Sequence, residues 1–292
     1  MTDVYILIEL LQLSIYGIVL GSILTLGAIG VSMIFGILRF AHFAHGDLIT
    51  VGAYVGMGFL MMTHAPVWTA LPAGMIGAAI VAVLIDQTVY KRIRRTQPVI
   101  LLISSFGIGL ILRSLVQVIW GPNVYSFPGG IQRPWMVWEL AIIPNHLWIL
   151  LAAVVIVTAL HLFLTRTRIG KAMRAMSDNM DLALVTGIPA ERVIMITWLL
   201  GGALAAGAGV LLGMDSRLTP TMGWNILLPV FAAAIVGGIG RPYGAIAGGM
   251  LIGLAMEIST LFLEPSYKPA VAFLIMVAVL IVRPQGIFKG AW

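Results

Sequence analysis

The sequence predicts an all-α, polytopic integral membrane protein of about eight or nine transmembrane helices, some broken or re-entrant. Three observations point there. The 292 residues are 60% hydrophobic and only 10% charged, whereas a soluble domain has roughly 25% charged residues. The mean hydropathy is +1.05. Apolar runs recur along the whole length, each close to the roughly 20 residues that a helix needs to cross a hydrocarbon core. Those runs are continuous rather than alternating, which excludes a membrane β-barrel.

Nine apolar segments can be drawn in order, at roughly 5–35, 47–63, 67–90, 99–120, 146–165, 191–213, 224–239, 244–263 and 268–283. The first is too long for one straight span and is rich in glycine (Gly17, Gly21, Gly27, Gly30, Gly36). It reads as a tilted helix followed by a break. The opening MTDVYILIEL has no basic n-region and no small-residue cleavage site, so it reads as the start of that span. Within the fourth segment, Arg113 lies about 10 Å from the far end, and its long stem suits snorkelling outward. Asp86 reads as an interfacial residue beside Lys91 and Arg92. The glycine pairs Gly52/Gly56, Gly209/Gly213 and Gly244/Gly248 each sit four apart. That spacing puts them on one helix face, where backbones can approach closely.

Two loops are strongly basic: KRIRRTQP at 91–98 and TRTRIGKAMR at 165–174. Two spans separate them, so both can be cytoplasmic, as the positive-inside rule requires. The stretch 121–145 is then external, with turn signals GPN, PGG and IPN and with Trp135 and Trp138 for an interfacial belt. Counting outward puts the N-terminus outside. The tail VRPQGIFKGAW, with Arg283 and Lys289, falls inside. The net charge of +6 is therefore a topological signal rather than a nucleic-acid surface. Absence of cysteine excludes disulfides, thiolate catalysis and cysteine–zinc sites. No GxSxG, HExxH or GxxxxGK[ST] motif occurs. No enzyme site, metal or cofactor is expected, and any ATP hydrolysis belongs to another chain.

RFAHFAHGD, residues 39–47, is the densest polar stretch. The topology count places it at the cytoplasmic end of the first span. On a helix, His42 and His45 would share a face, with Arg39 one turn before. A metal site from His42, His45 and Asp47 and a proton relay are both open to these residue types. The favoured reading is a helix break beside a pathway, with Gly46 at the break and Asp47 capping the next helix. Glu257 is, by position, the most buried carboxylate and a functional candidate. Residues 165–192 contain a helix-prone segment, about Ile169 to Thr186, ended by Gly187 and Pro189. It is too polar to span. It suits docking of a partner or lying on anionic lipid.

FAHGDLITVGAY, residues 43–54, resembles the FAHG-E/D...GAY signature of the permeases of branched-chain amino acid ATP-binding-cassette importers (LivH type). GKAMRAMSDNMDLALVTGIPAERV is similar to that family's GxALRA...AAxxxGI...RV segment. TWLLGGALAAGAGVLLG at 197–213, GGIGRPYGAIAGGMLIGLAMEI at 237–258 and VRPQGIF extend the resemblance in order over nearly the whole chain. The family usually has asparagine before FAHG, where this chain has the titratable His42.

The resemblance implies a single permease domain over 1–292 in the bacterial inner membrane, with a cytoplasmic coupling loop near 166–190. It implies a second, homologous permease subunit, ATPase subunits, and a periplasmic binding protein that meets 121–145 and 214–223. Coupling candidates are Met176, Asp178, Asn179, Asp181, Ala183 and Gly187. Pathway or helix-break candidates are His42, His45, Gly46, Asp47 and Glu257. The implied cargo is a branched-chain or other neutral amino acid, with urea or a short amide as the alternative. A proton-coupled carrier using His42, His45 and Glu257 is the rival of a different class.

Overall fold

In hydrocarbon every backbone polar group must be bonded internally, so a chain this apolar satisfies itself with helices. The computed structural model describes residues 2–94, 96–128, 133–137 and 139–288. Arg95, Trp138 and Lys289 lie outside them. The helices are α1 (Thr2–Leu38), α2 (His45–Thr63), α3 (Ala70–Ile85), α4 (Lys91–Ile93), α5 (Pro98–Trp120), α6 (Pro144–Arg166), α7 (Arg168–Asp178), α8 (Met180–Val185), α9 (Ala190–Asp215), α10 (Met222–Gly237), α11 (Pro242–Ile258) and α12 (Lys268–Val282). Among the described residues, eight helical segments are long and apolar enough to cross a membrane, and α10 is a shorter apolar helix.

The first segment is one unbroken helix of 37 residues. The break follows it, at Arg39, whose φ of 57° leaves the right-handed region. A π-helical turn, Asp86–Tyr90, joins α3 to α4. The segment expected as one helix from Ile169 to Thr186 is two. Asn179 is extended, and its side chain accepts from the backbone N–H of Leu182, so it starts α8 anew. This is the competition that asparagine offers the helix backbone. Gly187 ends the segment as expected, at φ 84°. A short hairpin, β1 (Trp135–Val137) with β2 (Leu140–Ile142), lies within the stretch read as turns. The Gln12 amide fixes it to α1, donating to the Ala141 carbonyl and accepting from the Ala141 N–H.

The packing repeats. α11 lies along α1 as α3 lies along α9. α2 packs on α9 and α3, and α10 packs on α1 and α11. α5 sits on α2, and α12 sits on α10. Four crossings separate α1 from α9, so the two run in opposite directions, and the halves form an inverted repeat. Lipid supplies no hydrophobic drive between helices, and small residues do the packing instead. Gly52 faces Ala206, Gly209 faces the Ile49 carbonyl, and Gly248 faces the Ala233 carbonyl. The paired glycines are thus contact points, as their spacing predicts.

One end of the bundle is basic. Arg94 reaches Glu191 at the start of α9, Arg39 reaches α7, and the segment after Arg283 returns to Val236 and Gly237. At the other end, Tyr125 and Leu218 exchange backbone hydrogen bonds, tying the loop after α5 to the one before α10.

Candidate functional site at the helix break

Residues 39–44 turn back into the bundle. The ring Nε2–H of His45 donates to the Gly27 carbonyl at 3.1 Å. Gly27 lies eleven residues before the end of α1, so this contact sits about 16 Å inside, near half the thickness of a roughly 30 Å hydrocarbon core. The stretch 42–47 therefore does not lie at the end of the first span. α2 begins at mid-depth. It starts at His45 after Ala44, with no side-chain cap, so Asp47 is not an N-cap. Gly46 is also not the break. It is the place where α2 meets α10.

That meeting needs glycine on both sides. A Cβ on Gly223 would collide with the Gly46 carbonyl, and one on Gly46 would press on the Gly223 carbonyl. The Gly223 N–H donates to Thr50 Oγ1 at 3.1 Å. Two helix starts therefore converge in mid-bundle, each bringing the positive end of its backbone dipole. Asp47 lies in the first turn of α2, where a carboxylate is favoured.

Asp47 is ion-paired with Arg113 of α5. The guanidinium donates from Nε at 2.9 Å and from Nη2 at 3.3 Å. Arg113 thus points inward and does not snorkel. Gly109, eleven residues from either end of α5, lies directly beside the carboxylate. The pair is therefore at the helix midpoint. Asp47 is 1% exposed and Arg113 is 18% exposed, so only the cation reaches the open surface. Trp224 covers the guanidinium face at 4.7 Å from the ring centroid, a cation–π contact. Phe106 meets Trp224 edge-on. Around this point the surface is formed by the exposed Phe106, Leu110 and Leu228 of α5 and α10.

His42 is equally buried, against the aromatic group of Trp198, Tyr90 and Phe40, with Trp198 edge-on at 4.8 Å. Tyr90 and Trp198 stack face to face at 4.9 Å. Neither ring nitrogen of His42 has a hydrogen-bond partner among the described residues. His42 and His45 are neighbours at 6.1 Å, and among the described residues no metal-binding group forms around them.

Glu257 is not the most buried carboxylate. It is 13% exposed and pairs with Lys268 at 2.6 Å, near the turn between α11 and α12. Asp86, expected at the interface, is instead buried at 1% exposure, and both its oxygens accept from Arg94 Nη2, at 2.7 and 3.1 Å.

The coupling candidates divide. Met176 and Ala183 are buried and anchor α7 and α8. Asn179 caps α8 and Gly187 ends it. Asp178 and Asp181 are exposed. Sequence reasoning missed the exposed apolar face of α8, at Leu182, Leu184 and Val185. It also missed Arg113 as the partner of Asp47. Arg39 donates to the Ser177 carbonyl in the last turn of α7 at 2.8 Å, so α7 touches the residue at which α1 breaks. At the other end a cavity of about 670 Å³ is walled by Trp68, Phe127 and Trp148, with Arg217 and the His146–Asp215 pair at 3.0 Å on its rim.

The comparisons with known proteins agree with this architecture. Residues 13–280 match the family model described as branched-chain amino acid transport system / permease component. The high-affinity branched-chain amino acid transport system permease protein LivH of Escherichia coli (strain K12) is 34% identical, covering 95% of this chain and 94% of that protein. BraD of Pseudomonas aeruginosa, described likewise, is 30% identical, covering 95% of each. PsaBC from Streptococcus pneumoniae, solved in complex with Fab, shares the fold at a TM-score of 0.50 and 15% identity, over 94% of this chain and 92% of that one. The chain, a polytopic helical membrane protein with its polar centre at a mid-depth helix break, belongs to the family of branched-chain amino acid transport system permease components.

Proposed function

We propose that the whole chain, 1–292, is one permease domain of an ATP-binding-cassette importer, carrying a branched-chain or other neutral amino acid inward across a bacterial inner membrane. The observation that supports it most is the Asp47–Arg113 pair at mid-depth. An intramembrane ion pair is expensive and marks a pathway by default. The Arg113 guanidinium, the member of the pair that reaches the open surface, is flanked by apolar and aromatic side chains and suits the carboxylate of an amino acid with an apolar side chain. The cavity at the far end, beside Arg217, suits the side where a periplasmic binding protein delivers cargo.

The basic end is then cytoplasmic by the positive-inside rule, which puts the N-terminus outside and the C-terminus inside. The exposed apolar face of α8 suits docking to an ATPase, and residues 166–190 form the coupling segment. Force on α7 has a short route to the pathway: through Ser177 to Arg39, and from the break to His45 and Asp47. The exposed apolar surfaces of α5 and α12 suit a second, homologous permease.

The test is uptake by the assembly isolated on a tag on this chain and reconstituted with its binding protein. ATP-dependent uptake of labelled leucine, isoleucine or valine is expected. Uptake of urea or acetamide in preference to all three would assign the alternative cargo.

A further inference from the structure

The basic end holds a second feature, between the proposed coupling segment and the span ends, that docking of an ATPase does not explain. A cavity of about 510 Å³ opens between α7, the ends of α1 and α6, and the start of α11. Lys171 and Arg174 of α7 and Arg241 before α11 line it. None of the three has an ion-pair partner or a side-chain hydrogen bond among the described residues. Its floor is apolar: Met33, Ile37 and Leu164. The Tyr243 hydroxyl, at 2.8 Å from His161 Nδ1, closes one side and ties α11 to α6. Among the described residues, Asp178 is the only carboxylate on the lining.

The positive-inside rule accounts for the sign of the loop. It does not account for three free cations from two distant stretches of sequence converging on one cavity. Nor does it account for apolar walls supplied by the ends of two spans. Cations above an apolar floor fit a phosphate group with hydrocarbon attached. A basic pocket between span ends is the kind of place where lipid headgroups bind.

We infer that this cavity binds the headgroup of an anionic phospholipid, which seats α7 against the span ends. The lipid would hold the same helix whose last turn meets Arg39, so occupancy would bear on α7 directly. The inference does not depend on what the chain transports.

The test uses the purified full-length chain, delipidated in detergent and titrated with dioctanoyl phosphatidylglycerol, dioctanoyl phosphatidylcholine or inorganic phosphate. Saturable binding of the phosphatidylglycerol alone is expected. Lys171→Gln, Arg174→Gln and Arg241→Gln should each weaken it about fivefold, and the triple variant about a hundredfold. Charge-conserving Lys171→Arg should keep the affinity, as should Arg192→Gln and Arg283→Gln, which lie on the same end outside the cavity. The inference is overturned if the triple variant binds like the parent, or if the two outside variants weaken binding equally. It is also overturned if Lys171→Arg loses as much as Lys171→Gln. Phosphate binding as tight as phosphatidylglycerol, or phosphatidylcholine binding as well, rules out an anionic lipid as the specific occupant.

Discussion

Replacing Arg113 by leucine is the sharpest perturbation of the central site. Asp47 is 1% exposed and accepts from Arg113 at 2.9 and 3.3 Å. Among the described residues no other side chain donates to it. Arg113→Leu therefore leaves a carboxylate at mid-depth with no counter-charge. Removing one partner of a buried pair costs about 3–5 kcal/mol, or roughly two to four powers of ten in the folded-to-unfolded ratio. Asp47→Asn leaves a neutral amide, but strands the guanidinium with only Trp224 beside it. The double variant Asp47→Asn/Arg113→Leu has no buried charge, and replacing a whole pair is often neutral. The double variant should be more stable than Arg113→Leu alone, with a coupling energy above about 2 kcal/mol. Thermal unfolding of all four proteins in one detergent measures this. The double variant should fold but fail to take up substrate. The reasoning is refuted if Arg113→Leu unfolds like the parent, or if the two single costs simply add.

Other outcomes follow from the same geometry. Gly223→Val must push α10 off the Gly46 carbonyl and should cost about 1–3 kcal/mol or more, read as a lower unfolding midpoint, whereas Asn225→Val on the exposed side of α10 should cost little. Leu184→Asp with Val185→Asp should leave folding intact and abolish ATPase co-purification, because both side chains are exposed. Arg39→Ala should keep the ATPase bound while ATP hydrolysis no longer responds to loaded binding protein, a loss of coupling rather than of docking. Glu257→Gln should change uptake less than about threefold, since a partly exposed pair contributes little. A complete loss there would restore Glu257 as a pathway residue.

The fold class was legible because lipid imposes one simple demand. Long apolar runs must be helices, and glycines four apart must be contacts. The polar stretch 39–47 was also visible as a break, but its depth was not. Depth depends on whether the chain turns back after α1. That turn rests on Arg39 in a left-handed conformation, a conformation uncommon outside glycine and asparagine. A count of spans assigns such a segment to a surface. Arg113 was misread for a related reason. From sequence its depth invited snorkelling, and only α2 starting at mid-depth supplies Asp47 as a partner 66 residues away. Glu257 erred the opposite way. Position in an apolar run suggested burial, but the helix ends nearby and Lys268 reaches it. The split of the coupling segment was legible in principle: Asn179 followed three residues later by the bonded N–H of Leu182 is a capping pattern.

The source of the energy separates an importer subunit from a self-contained carrier. The direct measurement is accumulation of labelled leucine in proteoliposomes that contain this chain alone, with an imposed proton gradient or with ATP, beside proteoliposomes holding the co-purified assembly. The prediction is ATP-driven accumulation by the assembly, insensitive to an uncoupler, and none by the chain alone. Concentrative uptake by the solitary chain that collapses on adding an uncoupler would contradict it.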